Sequence, residues 1–198
     1  MSSMWDERYS AAAYAYGTEP NDFLKSVAER IPPGPVLCLA EGQGRNAVYL
    51  ASLGHEVLAV DQSAIGLERA RKLAESRDLV IATQVADLAS FDIVRERWSG
   101  IVAIFAHLPP ALRARVFGAA VRGLAPGGAF VLEAYTPKQL EYRTGGPQDA
   151  SLLMTLDALR AELAGLRIEH GVETEREVQE GEYHHGRSAV VQILGFKR

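Results

Sequence analysis

The chain has 198 residues, 21 Lys and Arg against 25 Asp and Glu, a formal charge of −4, and 47% hydrophobic residues. That is the length and composition of one globular domain; separate cofactor and substrate domains do not fit, and an acidic chain has no global pull toward nucleic acid or anionic membrane. The one cysteine, Cys38, excludes an intrachain disulfide framework and a cysteine-rich zinc module.

No apolar run reaches the ~18 residues of a membrane span. The opening residues MSSMWDERYS do not read as a signal peptide, so a soluble, cytoplasmic chain is expected. Residues 1–35 are crowded with aromatics (Trp5, Tyr9, Tyr14, Tyr16, Phe23) and read as a helical lid segment ahead of a core spanning 36–198. Pro32, Pro33, Gly34 and Pro35 lead into the short apolar run PVLCLA, as a buried parallel strand would begin. RNAVYLASL then has helical spacing with Gly54 as its stop.

EVLAV is a second strand ending at Asp61, and Ser63 is placed to cap the helix AIGLERARKLAES. LVIATQV is a third strand leading to Asp87, with a short helix expected over 92–98. IVAIFA is apolar throughout and so predicted central in the sheet. Pro109 and Pro110 suit the start of the helix ALRARVFGAAVRGL, and PGG at 126–128 is a turn before the strand AFVLEAY. Residues 136–150 form a long Gly- and Pro-rich loop of the kind used for binding. SLLMTLDALRAEL is the last helix. LRIEHGVETEREV and SAVVQILGF are two strands joined by a loop EGEYHHGR, so they pair antiparallel. The ETEREVQEGE run is read as an exposed strand face. The fold class is α/β, a Rossmann-like doubly wound seven-stranded sheet, mostly parallel with an antiparallel last strand.

Between the first strand and its helix lies AEGQGRNA, with Gly42 and Gly44. Glycines there let the backbone turn sharply and approach a ligand, and the helix N-terminus behind offers free N–H groups. Asp61, at the end of the next strand, is placed to accept hydrogen bonds from a ribose. This suits a nicotinamide dinucleotide or S-adenosylmethionine. Three features favour the second: Asp87 after strand three, the terminal hairpin in place of a second mononucleotide-binding half, and the aromatic front segment.

The stretches WDERYSAAAYAYGTEPNDFL, GQGRNAVYLASLGHEVLAVDQS, ADL, FAHLPP, LAPGGAFVLEAY and TGGP together resemble class I S-adenosylmethionine-dependent methyltransferases, and within them the tellurite-resistance and thiopurine-methyltransferase-like branch. The resemblance covers nearly the whole chain. It implies that Gly42 and Gly44 line the methionine end of the cofactor, and Ala40 and Glu41 of the same loop are further candidate contacts. Asp61 would hold the ribose with Gln62 and Ser63 nearby. Ala86, Asp87 and Leu88 would meet the adenine, and Ala106 and His107 would lie beside the methyl group. S-adenosylhomocysteine would be the product. The chain departs from the family's D-x-G-x-G-x-G loop: Cys38 stands at the acid and Ala40 at the first glycine, and Glu41 is the candidate to supply the missing carboxylate.

Trp5 and Tyr16 are candidate lid contacts to a sulfonium. His107 is the candidate base or orienting group. Tyr14, Tyr142, Arg143, Tyr183 and Arg187 are candidate substrate contacts. Adjacent His184 and His185 point opposite ways in extended backbone, and no metal site is expected. The expected activity is methyl transfer to a small-molecule nucleophile, a thiol, chalcogen oxyanion or similar. No nucleic-acid or membrane partner is expected. The alternatives are an NAD(P)-dependent oxidoreductase and a non-catalytic S-adenosylmethionine-binding protein.

Overall fold

The computed structural model describes residues 4–10 and 13–198; the rest of the front segment lies outside the described residues. Helices α1 (Met4–Tyr9) and α2 (Asp22–Val27) precede β1 (Pro35–Leu39), α3 (Arg45–Ser52), β2 (Glu56–Asp61), α4 (Ala64–Glu75) and β3 (Ala82–Val85). There follow β4 (Trp98–Ile104), α5 (Pro110–Gly123), β5 (Leu124–Tyr135), α6 (Leu156–Glu162), β6 (Leu166–Glu180) and β7 (His184–Lys197). The seven strands form one sheet in the order β3-β2-β1-β4-β5-β7-β6, with β4 at its centre. Strands β1 to β5 pair parallel, and β7 runs antiparallel to both β5 and β6. The expected fold class is the observed one.

Strand alternation builds the two cores. Val36 and Cys38 of β1 face α2, α3 and α4, with Val102, Ile104 and Val131 beside them. Leu37 and Leu39 face the other side, against α5 and α6 with Ile101, Ala103, Phe130 and Leu132. A strand buried on both faces needs the near-continuous apolar run that PVLCL supplies. Ser63 caps α4, its hydroxyl accepting from Gly66 N at 3.0 Å.

Four local expectations are corrected. No helix forms over 92–98. Glu96 and Arg97 instead donate their N–H groups to the Arg122 and Gly123 carbonyls at the end of α5, and Trp98 already belongs to β4. The third strand is shorter than LVIATQV, because Leu79 donates back to the Ala74 carbonyl and Val80 is exposed. PGG at 126–128 is no separate turn. It bulges within β5, between the Trp98–Leu124 and Gly100–Ala129 pairs.

The fourth correction matters most for function. EGEYHHGR is not a loop, because β6 and β7 stay in register out to Glu180–His184, and only residues 181–183 turn. The last pair to β5 is Tyr135–Val190, so the hairpin overhangs the sheet beyond that point. It arches back over the carboxyl ends of the strands, where Glu182 donates to the Ala15 carbonyl at 3.0 Å. His184 and Arg187 are therefore strand residues.

Candidate functional site

The loop after β1 is the first wall of the site. Ala40, Gly42 and Gly44 all have positive φ (52°, 61° and 89°), so the chain turns sharply from β1 into α3. Ala40 holds that conformation against the usual steric preference of a side chain. A Cβ at Gly42 would sit 2.5 Å from the Tyr9 hydroxyl, so glycine is required there for the close approach of α1.

Glu41 turns its carboxylate toward the start of α3, with Oε1 accepting from Asn46 N at 3.0 Å and Ala47 N at 2.8 Å. It caps a helix whose Gly44 N-cap has no side chain to do so. Burial pushes the Glu41 carboxyl up to about 7 against these bonds. The buried Cys38 thiol is raised well above its usual range by burial and by the nearby Glu41 carboxylate. Glu41 thus brings its carboxylate near Cys38.

Asp61, at the end of β2, is buried and accepts from Gly42 N and Ser63 N, both at 2.8 Å. Burial raises its carboxyl above the ordinary aspartate range. Ala86 N binds the Asp61 carbonyl at 2.9 Å, which places the 86–88 turn beside it. There Asp87 is exposed and Leu88 buried, while Gln62 is exposed on the other side of Asp61. Ala106 is buried at the end of β4.

Helix α1 lies across this loop. The Ser63 hydroxyl donates to Asp6 Oδ1 at 2.5 Å, and Arg69 Nη1 to the Tyr9 carbonyl at 2.9 Å. Tyr9, which no sequence signal distinguished from its aromatic neighbours, is the ring that touches Gly42 and Gly66. Burial and the charge of Asp61 raise its hydroxyl pKa far above the ordinary tyrosine value. Trp5 stacks on Tyr9 at 5.7 Å, and Tyr9 meets Tyr16 edge-on at 6.5 Å. Tyr16 accepts a hydrogen bond from Arg8 at 2.8 Å. Both predicted lid contacts therefore sit in one aromatic row with Tyr9.

The row continues into a box of rings at the ends of β4, β5 and β7. Tyr16 lies 4.5 Å from His184. Phe105 is 4.6 Å from Tyr135 and 4.7 Å from His184. His107 stacks on Tyr135 at 5.7 Å. The TGGP loop closes the box: a Cβ at Gly146 would lie 2.5 Å from Tyr135, and one at Gly145 would lie 3.0 Å from His184. Those two glycines let the backbone press on the rings. The Tyr135 hydroxyl and His184 Nδ1 are buried with no hydrogen-bond partner.

His107 is not arranged as a base. Its Nδ1 bonds the Leu152 carbonyl at 2.9 Å and its Nε2 faces Tyr135 N at 3.4 Å, so both ring nitrogens are spent on backbone. Burial pulls its pKa down to about 4. The predicted substrate contacts separate. Tyr14 is fixed on α4 by a bond to the Arg69 carbonyl at 3.2 Å, outside the box. Tyr142 and Arg187 both bind Glu175, each at 2.6 Å, on the outer face. Arg143 is exposed beside them. Tyr183, at 6.0 Å from Tyr16, borders the box.

Beneath the arch lies a buried charge cluster. Glu133 is fully buried and receives Arg176 Nη2 at 2.6 Å, Asn21 Nδ2 at 2.5 Å and Gln192 Nε2 at 2.8 Å. Glu180 receives Arg45 Nη2 at 2.5 Å and Asn21 Nδ2 at 2.7 Å. Part of the ETEREVQEGE run therefore turns inward. The signal available in the sequence was Glu133 itself, a carboxylate inside the apolar strand AFVLEAY.

The glycine loop after β1 and the acid ending β2 both lie within residues 36–128. Those residues match the model of a methyltransferase domain. The chain is 26% identical over 141 residues to the 2-heptyl-1-hydroxyquinolin-4(1H)-one methyltransferase of Mycobacteroides abscessus, an alignment covering 70% of this chain and 62% of that relative's length. A protein solved in work on conversion of a disulfide bond into a thioacetal group during echinomycin biosynthesis superposes with TM-score 0.77. Its sequence is 20% identical, and 97% of this chain and 87% of that one are covered. TehB from Haemophilus influenzae gives 0.72 at 19% identity, over 98% of this chain and 66% of its own. An S-adenosylmethionine-dependent methyltransferase from Clostridium acetobutylicum shares the fold at TM-score 0.68 and 15% identity, over 89% of each chain. The chain thus shares the fold of these S-adenosylmethionine-dependent methyltransferase structures. Among the described residues, no helix is long and apolar enough to cross a membrane, and no cluster of metal-ligating side chains occurs.

Proposed function

We propose that this chain transfers a methyl group from S-adenosylmethionine to a small-molecule nucleophile. The observation that carries the reading is the pair of carboxylates at the ends of β1 and β2, Glu41 and Asp61, around a loop whose Gly42 admits no side chain. A zwitterionic amino acid joined to a nucleoside needs both: a carboxylate for its ammonium and one for its ribose. Glu41 would take the ammonium beside Gly42 and Gly44, and Asp61 the ribose between Gln62 and Ser63. The Ala86–Asp87–Leu88 turn would take the adenine. Gln43 Nε2, buried without a partner, adds a donor at the same loop. The bound cofactor supplies an electrophilic methyl group. The protein's part is to hold the acceptor in line and to exclude water. Helix α1 with Trp5, Tyr9 and Tyr16 would serve as the lid, and Ala106 would border the methyl group.

The ring box favours a flat, largely apolar acceptor. Chalcogen oxyanions fit less well, because Arg45 and Arg176 are already paired with Glu180 and Glu133. The hydroxyquinolone named for the Mycobacteroides abscessus relative is of the favoured kind. A thiol acceptor of the same shape fits equally, and the tellurite-resistance and thiopurine-methyltransferase-like branch is compatible with the aromatic reading.

Thermal melting tests the cofactor. S-adenosylhomocysteine at 100 times its Kd should add about 2.7 kcal/mol of stability, with no shift from NAD or NADP. A shift with NAD alone overturns the reading in favour of an oxidoreductase. Labelled-methyl transfer to phenols, thiols and hydroxyquinolones then tests turnover.

Glu41 makes a second expectation. Its carboxyl titrates near 7 in the free protein, and an ammonium partner favours the ionised form. Cofactor binding should therefore release a proton, and affinity should rise severalfold between pH 6 and 8. E41Q should keep its helix-capping acceptor, weaken S-adenosylhomocysteine by about tenfold, and flatten that pH dependence, as measured by calorimetry. Native affinity at both pH values would remove Glu41 from the site.

A further inference from the structure

We infer that His184, backed by Glu180, is the proton acceptor of this site, and that the methyl acceptor is a hydroxylated aromatic or heteroaromatic molecule. The inference rests on the methyl transfer proposed above. His184 opens β7 where the hairpin arches over the strand ends, and it is buried among Tyr16, Phe105 and Tyr135. Its Nδ1 faces Glu180 Oε2 at 3.9 Å with no other partner, and its Nε2 makes no hydrogen bond among the described residues. The contrast with His107, whose two nitrogens are both taken by backbone, is direct.

Glu180 is built to stay charged. Burial alone would raise its pKa, but the neighbouring His184 and Arg45 hold it down at about 2. A fixed carboxylate on the Nδ1 side keeps the proton there and leaves the Nε2 lone pair free for the box. Burial lowers the pKa of His184, so the ring is neutral near pH 7 and able to accept. A separation of 3.9 Å is longer than a hydrogen bond, as such pairs commonly are before substrate closes the site.

The remaining unpartnered group in the box is the Tyr135 hydroxyl. A buried hydroxyl without a partner carries a cost that a ligand's polar atom would remove. Rings on several sides, one lone pair and one hydroxyl together describe a flat molecule with a polar edge. In the step, the acceptor's O–H bond breaks and its proton goes to Nε2. The oxygen's electron pair forms the bond to the methyl carbon, and the pair of the broken sulfur–carbon bond stays on sulfur. A proton acceptor matters for a hydroxyl and little for a thiophenol, which is already ionised at neutral pH.

The groups facing His184 are Glu180 on the hairpin, Arg8 and Tyr16 on the front segment, Arg45 on α3, His107 after β4, and Tyr135 on β5. The first measurement uses 4-nitrophenol and S-adenosylhomocysteine together, at a pH below the phenol's own pKa. The native protein should show the phenolate absorbance on binding, and H184Q should bind the phenol without it. The second compares methylation rates. H184Q should lower kcat for 4-nitrophenol by about 100-fold or more, lower it far less for thiophenol, and abolish the rise of the phenol rate with pH. Equal phenolate absorbance in native and H184Q, equal loss for both acceptors, or no binding of 4-nitrophenol to the native protein would each overturn the inference. Failure of methyl transfer as such is read separately, from the absence of a melting shift with S-adenosylhomocysteine.

Discussion

D61N is expected to weaken S-adenosylhomocysteine binding by about 100-fold. The Asp61 carboxylate is buried at the end of β2, where one oxygen accepts from Gly42 N and the other from Ser63 N. Each oxygen has a further lone pair for a ribose hydroxyl. Hydrogen bonds to a charged acceptor contribute about 1.5–3 kcal/mol each, and about 1.4 kcal/mol is tenfold in affinity. Asparagine keeps one acceptor and turns an NH2 toward an N–H donor at the other. The free protein should therefore also lose about 1–3 kcal/mol of stability. Calorimetry at a temperature where circular dichroism shows D61N folded separates the two effects. Binding at native affinity would contradict the ribose assignment.

R176M is the second large effect, and it acts on folding. Arg176 Nε and Nη2 make a bidentate pair with Glu133, at 2.8 and 2.6 Å, and Nη2 reaches Glu180 at 3.2 Å. Glu133 has no solvent exposure. Removing the guanidinium leaves a buried carboxylate short of its counter-charge, which costs about 3–5 kcal/mol. Urea denaturation should show that loss, and R176M with E133Q should recover part of it because the orphaned charge is gone. If R176M unfolds at the native midpoint, the cluster contributes nothing to stability.

The same cluster sets the acid limit. Glu180 is held at about 2 in the folded protein, below its ordinary 4.5. Its contribution is present above about 4.5, declines below that, and is lost as pH falls through about 2. Acid unfolding should accordingly deepen between those values, and E180Q should show a shallower slope there.

The two histidines illustrate how far a sequence carries such a reading. His107 follows IVAIFA, at a strand end where functional groups gather, and that position is visible in any single chain of this pattern. Whether its nitrogens are free depends on Leu152 and on the backbone of Tyr135, which the chain brings from 45 and 28 residues away. His184 sits in EGEYHHGR, whose charges and glycines resemble a solvated loop. Only the extended register of β6 with β7 turns it inward.

What the sequence determined by itself is whatever is settled within about ten residues. The apolar run of β1, the glycines after it, Asp61 closing β2, the Ser63 cap and the proline start of α5 are local, because strand burial, positive φ and capping each depend on near neighbours. A seven-stranded sheet, mostly parallel with an antiparallel last strand, was expected and is observed, while the strand order comes from the structure. What only the tertiary structure decided lies at long range. Asn21 meets Glu133 and Glu180 across 112 and 159 residues, and Arg45 meets Glu180 across 135. Those meetings follow from the hairpin arching back onto the front segment and α3. Charged residues carry no periodicity that tells an inward strand face from an outward one. Their burial depends on finding partners, and the partners come from elements that adjoin only once the sheet has formed.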